Sequence, residues 1–310
     1  MPQQTRRFRR PPAPVSLLLA AAAVLGTGLT AAGAATYLKT WGALGHAPGQ
    51  MNRPYGLAVD SQGQVYEADP GNKRIQVFTA SGRFVRGWRT LGTSAGYSYP
   101  TGVALDRRGH VYVSDSGAHR IEKFSTQGDL LKLWRSPDES QSFYANGVAV
   151  DDRHRRVYLA LPEDRAIDKF TTNGLFLDSW TIETPRGRTL RPRGVTVDGR
   201  RHVYIAARNK ILRYSSQGKL LDGWGDKGSG PGDVFRPYGI DVDSKRHVYV
   251  ADTGNSRIQK FSPRGTFLES WGKLGSGPRE FHYPRGLTVD AHRNVYISDT
   301  DNHRIVKYGQ

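Results

Sequence analysis

Six tryptophans, the only ones in the chain, recur at nearly equal intervals along the sequence. They stand at Trp41, Trp88, Trp134, Trp180, Trp224 and Trp271, with spacings of 47, 46, 46, 44 and 47 residues. A fixed period of this length indicates a tandem repeat in which each unit buries its apolar surface against the next unit. The period predicts an architecture and leaves the function open.

Each period contains four short runs rich in Val, Ile, Tyr and Phe, most clearly between Phe235 and Trp271. Four runs in about 45 residues predict four antiparallel strands, the size of one propeller blade. A glycine opens the first run of blades 1 to 6, at Gly56, Gly102, Gly147, Gly194, Gly239 and Gly286. An aspartate closes the same run, at Asp60, Asp106, Asp151, Asp198, Asp243 and Asp290. We interpret the glycine as making room where six strands converge and the aspartate as bonding the following turn.

The last unit ends after its third strand, at Tyr308-Gly309-Gln310, and so lacks a fourth strand of its own. The segment Tyr37 to Trp41 matches Phe267 to Trp271 position by position. We therefore predict that an N-terminal strand completes the last blade and closes the ring, which removes the open sheet edges of a linear stack. The predicted fold is all-β: a six-bladed β-propeller of four-stranded antiparallel blades over residues 36–310.

The repeated motifs resemble NHL repeats. These motifs are Pro-x-Gly, Val-Asp, Val-Tyr-Val-Ala-Asp, Asn-x-Arg-Ile-Gln-Lys-Phe and Gly-x-Phe, and the resemblance runs from Tyr37 to Gln310. The resemblance implies a six-bladed propeller, which agrees with the count of opening glycines. The chain is similar to exported bacterial NHL repeat-containing proteins. Members of the family bind proteins, bind RNA, sense ligands or, in one case, act as a lyase, so the resemblance implies little about function.

The first 35 residues differ from the repeats. Arg6, Arg7, Arg9 and Arg10 precede an uncharged stretch rich in Ala, Leu, Val and Gly. This pattern predicts a signal peptide or an N-terminal membrane anchor over residues 1–35. Ala32-Gly33-Ala34 favours cleavage after Ala34, and an uncleaved helix from Val15 to Ala35 is the alternative. Both alternatives predict an extracytoplasmic protein, secreted or at the cell surface.

The charge balance is strongly basic, and the chain contains no cysteine. The formal net charge is +17, or +13 without the four arginines of the leader. This excess favours acidic partners, with a merely basic surface as the alternative. The absence of cysteine excludes thiol nucleophiles, iron–sulfur clusters and cysteine-ligated zinc modules.

Four blades repeat an Asp and Arg around the turn between their second and third strands. The pairs are Asp69 with Arg74, Asp115 with Arg120, Asp252 with Arg257, and Asp299 with Arg304. Repetition favours within-blade ion pairs that shape the turn. Blades 3 and 4 lack the pair, and such departures from a repeat are where function is expected.

Blade 4 is also the most basic blade. Six of its cations are predicted to lie on the face formed by the loops between blades, namely Arg186, Arg188, Arg191, Arg193, Arg208 and Lys210. Guanidinium groups in this number favour binding of phosphate, sulfate or carboxylate groups. The alternative is a solvated basic edge, balanced by acids of blade 3 such as Asp138, Glu139, Glu163 and Asp164.

The residue before each opening glycine is predicted to lie at the mouth of the central channel. These positions hold Tyr55, Thr101, Asn146, Arg193, Tyr238 and Arg285. Tyrosine stacking and arginine charge would suit an anionic or sugar-like ligand, and a water-filled channel is the alternative.

The sequence predicts neither a catalytic residue nor a metal ligand nor a cofactor. The family's lyase holds zinc with histidines facing the channel, and none of the six channel positions is histidine. We therefore expect a binding module for an anionic polymer, a sugar-like ligand or a protein partner. The alternatives are a metal-dependent lyase or lactonase-like propeller enzyme, and nucleic-acid binding through the basic face, which predicted export disfavours. Membrane contact is expected only through an uncleaved N-terminal segment.

Overall fold

A computed structural model describes residues 34–310, except for 94–95 and 136–144. The predicted leader lies outside the described residues, apart from Ala34 and Ala35. The described residues form 24 strands and three short 3-10 helices. The helices Pro70–Asn72, Thr253–Asn255 and Thr300–Asn302 join the second and third strands of blades 1, 5 and 6.

The strands fall into six sets of four, from the inside of the ring outward. The innermost strands of blades 1 to 6 are β2 (Leu57–Val59), β6 (Pro100–Leu105), β10 (Val148–Asp151), β14 (Pro192–Val197), β18 (Ile240–Val242) and β22 (Pro284–Val289). The second strands are β3 (Val65–Asp69), β7 (His110–Asp115), β11 (Arg156–Leu161), β15 (Val203–Ala207), β19 (Val248–Asp252) and β23 (Val295–Asp299). The third strands are β4 (Arg74–Phe78), β8 (Arg120–Ser125), β12 (Ala166–Thr171), β16 (Lys210–Tyr214), β20 (Arg257–Phe261) and β24 (Arg304–Gly309). The outer strands are β5 (Phe84–Arg89), β9 (Leu130–Trp134), β13 (Phe176–Thr181), β17 (Leu220–Trp224), β21 (Phe267–Trp271) and β1 (Thr36–Trp41).

Blade 6 is completed by the N-terminal strand. Its strand order is β22, β23, β24 and then β1, and all neighbours are antiparallel. Tyr37 pairs with Tyr308 and Trp41 pairs with Ile305. The structure confirms the predicted six-bladed propeller and its closure by the two chain ends.

The tryptophans hold neighbouring blades together. Each lies edge-on against the buried tyrosine of its own second strand, as Trp88 does with Tyr66 at a centroid distance of 6.4 Å. The turn of the next blade then covers the other side of the indole. A Cβ atom on Gly128 would lie 2.7 Å from Cδ2 of Trp88, so only glycine fits this turn. Trp271 has no such glycine contact among the described residues, and Ala35 and Tyr37 of the N-terminal segment pack against the same hydrophobic cluster as Trp271.

A second set of contacts links the outer parts of the blades. Lys123 Nζ donates to the carbonyl of Thr172 at 3.2 Å, and Lys169 Nζ donates to that of Ser216 at 2.9 Å. At the seam between the chain ends, Lys260 Nζ donates to the side chain of Gln310 at 2.6 Å. The same pattern of one cation reaching the next blade therefore continues across the seam, with a side chain as acceptor.

The loops between blades and the turns between second and third strands open on the same face, which we name the upper face. Backbone hydrogen bonds join the two sets of loops, from Gly71 to Asn52 and from Gly254 to Phe235. The turns that follow the innermost strands open on the opposite, lower face. Arg200 lies on this lower face, where its backbone NH donates to the carboxylate of Asp198.

Candidate functional site

The repeated aspartate and arginine form ion pairs in blades 1, 5 and 6. The distances are 2.9 Å for Arg74 and Asp69, 2.8 Å for Arg257 and Asp252, and 2.7 Å for Arg304 and Asp299. Burial raises the pKa of all three aspartates, although hydrogen bonds from neighbouring asparagines and arginines oppose the shift. Each arginine also donates to three carbonyl groups of the preceding loop between blades. The pair therefore clamps that loop, which is a structural role.

The predicted pair in blade 2 is wrong. Arg120 instead contacts Glu122 at 2.6 Å. Asp115 accepts hydrogen bonds from the Ser98 hydroxyl and from the backbone of Tyr99 and Ala118. Glu122 occupies the position where blades 1 and 5 have a glutamine that donates to the aspartate. A carboxylate cannot donate in this way, so the arginine turns toward it.

Blades 3 and 4 lack this clamp, and an open cavity of about 690 Å³ lies on the upper face between blades 3, 4 and 5. Among the described residues, seven cations line it and none of the lining residues is acidic. The cations are Arg165, Arg188, Arg191, Arg193, Arg208, Lys227 and Arg236. The remaining lining residues are Thr189, Leu190, Asn209 and Phe235.

The six cations that the sequence indicated in blade 4 do not all lie at the cavity. Arg188, Arg191, Arg193 and Arg208 line the cavity, whereas Arg186 and Lys210 do not. Lys210 pairs with Asp226 at 2.7 Å, and this contact lowers the pKa of that aspartate. Arg191 reaches Glu163 at 3.0 Å, although both side chains are exposed, so water screens the pair. Asp138 and Glu139, two of the predicted balancing acids, lie outside the described residues.

Sequence reasoning missed three of the lining cations, which are Arg165, Lys227 and Arg236. Arg165, Arg208 and Arg236 have φ angles of 54°, 45° and 52°, a left-handed conformation that favours glycine. The turn between the second and third strands of every blade contains one such residue, namely Lys73, His119, Arg165, Arg208, Ser256 and His303. Arg236 instead lies in the loop before the innermost strand of blade 5, where Arg53 and Tyr283 have the same conformation in the loops before blades 1 and 6. The conformation therefore belongs to the repeat, and only the side chain differs from blade to blade. A comparison of these turns would have identified Arg165.

The channel mouth is filled by its own side chains. Tyr55 and Tyr238 are buried, and the Arg285 guanidinium lies 4.3 Å from the ring centroid of Tyr55 and 5.4 Å from that of Tyr238. Burial, together with the charge of Arg53, lowers the pKa of Arg285 to about 10. The space enclosed here is about 70 Å³, far below the roughly 300 to 1,000 Å³ of typical ligand pockets. Only a small group could therefore bind at the mouth.

Arg193 joins the channel mouth to the cavity. Its guanidinium lies 5.3 Å from the ring centroid of Tyr238, and it lines both spaces. The other two residues predicted at the mouth, Thr101 and Asn146, also line the channel. Thr101 is buried and donates to the carbonyl of Ala145 at 2.7 Å, so its hydroxyl is engaged within the protein.

Asp241 is a channel residue that sequence reasoning missed. It occupies the third position of its innermost strand, counting from the opening glycine. The other blades have Ala58, Ala104, Ala149, Thr196 and Thr288 at this position. Its carboxylate accepts hydrogen bonds from the hydroxyls of Thr196 and Thr288, at 3.0 and 3.2 Å. Burial raises the pKa of Asp241. Aligning the repeats position by position would have shown this carboxylate as the exception.

Histidines lie in turns, as the sequence indicates. His110, His202 and His247 each contact the aspartate that closes the preceding strand, at 2.8, 3.0 and 2.8 Å. Within residues 34–310 outside the two gaps, no group of three or more histidine and acidic side chains is placed to hold a metal ion. The same part of the chain contains no helix of the length and apolarity needed to cross a membrane.

Known proteins share the repeat and the fold. Residues 97–124, 236–261 and 281–308 match the NHL repeat. A segment of 46 residues is 56% identical to the human E3 ubiquitin-protein ligase TRIM32 (Homo sapiens), covering 15% of this chain and 7% of that protein. A segment of 55 residues is 42% identical to human NHL repeat-containing protein 3, covering 17% of this chain and 16% of that protein. The chain thus spans a small part of the length of these relatives.

Solved structures with the same fold have low sequence identity to this chain. A catalytically inactive virginiamycin B lyase from Staphylococcus aureus, with quinupristin, superposes with a TM-score of 0.63 and 16% identity, covering 85% of this chain and 83% of the lyase. A protein of unknown function from Bacteroides thetaiotaomicron gives a TM-score of 0.71 and 14% identity, over 89% of this chain and 76% of that one. Identities this low show the fold alone. The matched segments and the blade topology show that the chain contains NHL repeats and has the fold of a six-bladed β-propeller.

Proposed function

We propose that this propeller is a binding module that holds a phosphate-bearing polymer against the cavity on its upper face. The observation that carries the proposal is that the lining residues within the described part of the chain include seven cations and no acid. Like charges gathered in one cavity repel one another, and an oxyanion polymer offsets that repulsion. The cavity of about 690 Å³ lies within the range of ligand pockets, so a polymer segment can enter it.

The composition of the lining favours phosphate groups. Six of the seven cations are arginines, whose planar guanidinium groups bind phosphate or carboxylate oxygens in pairs. Arg188, Arg208 and Arg236 have exposed side chains, so a long polymer can reach them without rearrangement of the fold. Binding then releases counterions from the polymer, which makes affinity depend on salt.

The predicted export of the protein favours a polymer that lies outside the cytoplasm. The basic and apolar leader of residues 1–35 motivates an extracytoplasmic location, where phosphate polymers of a cell envelope are available and RNA is scarce. We include this location in the proposal. Fractionation of the native cells tests it, and recovery of the protein in the cytoplasmic fraction would contradict it. N-terminal sequencing then distinguishes a cleaved leader, with Ala35 as the expected first residue, from an uncleaved anchor.

The cavity is tested with a pair of matched double variants. Arg208→Gly with Arg236→Gly removes two lining cations, and glycine accepts the left-handed backbone at both positions. We expect about tenfold weaker binding of long-chain polyphosphate at about 0.1 M salt, because two phosphate contacts are lost. Calorimetric titration measures the affinity, and circular dichroism checks that the variant is folded.

The control removes two cations from similar backbone positions elsewhere on the upper face. Arg53 and Lys73 of blade 1 have φ angles of 61° and 55° and lie outside the cavity. Arg53 is already paired with Asp301 at 3.1 Å. Arg53→Gly with Lys73→Gly should therefore keep polyphosphate affinity within about twofold. Equal losses in the two double variants would show that net charge alone acts, and would contradict a cavity site.

A further inference from the structure

Three neighbouring innermost strands carry matching side chains at two levels of the channel. At the mouth are Arg193, Tyr238 and Arg285, one on each of blades 4, 5 and 6. Three residues further along the same strands are Thr196, Asp241 and Thr288. The upper row thus has a tyrosine between two cations, and the lower row has a carboxylate between two hydroxyls.

In the upper row, both guanidiniums contact Tyr238. Their distances from the ring centroid are 5.3 Å for Arg193 and 5.4 Å for Arg285, within the range of cation–π contacts. Among the described residues, neither arginine forms an ion pair. The Nε atom of Arg285 is buried and lacks a hydrogen-bond partner in the described part of the chain. A buried guanidinium donor without an acceptor is costly, and an oxyanion placed between the two arginines would satisfy it.

In the lower row, Asp241 ties three blades together. Besides the two threonine hydroxyls, its carboxylate accepts the backbone NH groups of Val242 at 2.8 Å and Val289 at 2.9 Å. The hydrogen bonds to Thr196 and Thr288 fix the strands of blades 4 and 6 directly beneath Arg193 and Arg285. Alanine stands at this position in blades 1 to 3, so the fold itself does not require a carboxylate here.

We propose that Arg193, Tyr238 and Arg285 form a clamp for a single phosphate group, and that Asp241 is the positioning residue that sets the spacing of the two arginines. The clamp rests on the proposed function, because it takes one phosphate of the polymer that the cavity holds. Arg193 lines both spaces and so connects clamp and cavity. The small volume of about 70 Å³ limits the clamp to one group. The carboxylate of Asp241 repels an anion that would move deeper into the channel.

The test uses inorganic phosphate and long-chain polyphosphate as separate probes of the full protein. Arginine labelled with ¹⁵N gives an Nε–H resonance for Arg285, assigned by its loss in Arg285→Lys. We expect inorganic phosphate to shift this resonance in the wild-type protein. Asp241→Ala should weaken the phosphate titration about fivefold, since the two strands lose their common anchor. Asp241→Asn retains one of the two oxygen acceptors, so it should weaken the phosphate titration by only about twofold.

Three outcomes overturn the clamp. They are an Arg285 resonance that phosphate does not shift, an Asp241→Ala variant that binds phosphate as wild type does, and an Asp241→Asn variant as weak as the alanine variant. In each case, the polyphosphate affinity of the Arg208→Gly, Arg236→Gly double variant tests separately whether the cavity binds the polymer. If that pair still loses affinity relative to its control, the clamp fails and the proposed function stands. If the wild-type protein does not bind polyphosphate, both the clamp and the proposed function are contradicted.

Discussion

Replacement of Gly56 by alanine is expected to lower the free energy of unfolding by about 3 kcal/mol, because a single methyl group overpacks the contact between two blades. A Cβ atom at this position would lie 2.7 Å from the carbonyl oxygen of Thr101 and 2.9 Å from the backbone nitrogen of Val103. Both belong to the innermost strand of blade 2, which cannot move without disturbing its own sheet. Each of the six opening glycines contacts the next blade in this way.

The matched control is Gly199→Ala on the lower face. A Cβ atom there meets no atom within 4 Å, and the residue does not have a left-handed backbone. We expect this control to be unchanged or slightly stabilised, by at most about 0.5 kcal/mol, through the lower entropy of its unfolded chain. Urea denaturation of both variants measures the difference. Equal stability of the two would mean that the blades are not in close contact at the channel.

Glu67→Val is expected to stabilise the protein by about 2 kcal/mol at neutral pH. Glu67 is completely buried on β3, and the equivalent residues of the other blades are Val113, Leu159, Ile205, Val250 and Ile297, all buried. One carboxylate oxygen has no hydrogen-bond partner among the described residues, and the other accepts a long 3.3 Å bond from Gln76. Burial, and then the charge of Asp69, raises the pKa of Glu67 well above its usual value. Valine has a similar volume and no charge to desolvate.

The effect has a defined pH dependence. Because the folded pKa of Glu67 is raised, its favourable contribution is complete below the unfolded pKa of about 4.3 and is lost as pH rises through the folded pKa. The stability gained by Glu67→Val should therefore be smallest near pH 4 and should increase toward neutral and alkaline pH. Glu67→Gln, which cannot ionise, should show the same pH trend with a smaller gain. A difference between wild type and valine variant that is constant from pH 4 to 9 would contradict burial of an ionisable group.

The fold was readable from the sequence because its contacts repeat. Trp88 packs under Gly128 of the next blade, and the same pair recurs at every tryptophan except Trp271, so one period contains most of the information for all blades. The closure was readable for the same reason, because Tyr37 to Trp41 has the pattern of an outer strand. The exchange of partners in blade 2, where Arg120 contacts Glu122 instead of Asp115, could not be read from the sequence. The partner of Arg120 depends on whether the residue two positions along can donate a hydrogen bond.

The candidate site was readable only in part, because it draws on residues from several blades. The excess of cations in blade 4 indicated the upper face, and four of these cations line the cavity there. Arg165 and Arg236 come from neighbouring blades, and charge counting within one blade does not include them. Sequence spacing also does not show that Asp226 lies beside Lys210. An alignment of the repeats shows Asp241 as a single exception among small residues, but its contacts with Thr196 and Thr288 follow only from the arrangement of three strands around one channel.

The most direct test of the polymer-binding account is the salt dependence of polyphosphate affinity. For the wild-type protein, the logarithm of the association constant should fall linearly with the logarithm of the salt concentration. In the Arg208→Gly, Arg236→Gly variant this slope should become shallower by about 1.5, because two fewer counterions are released. The Arg53→Gly, Lys73→Gly control should keep nearly the wild-type slope. Equal slopes for the two double variants, or a wild-type affinity independent of salt, would contradict a cationic cavity as the binding site.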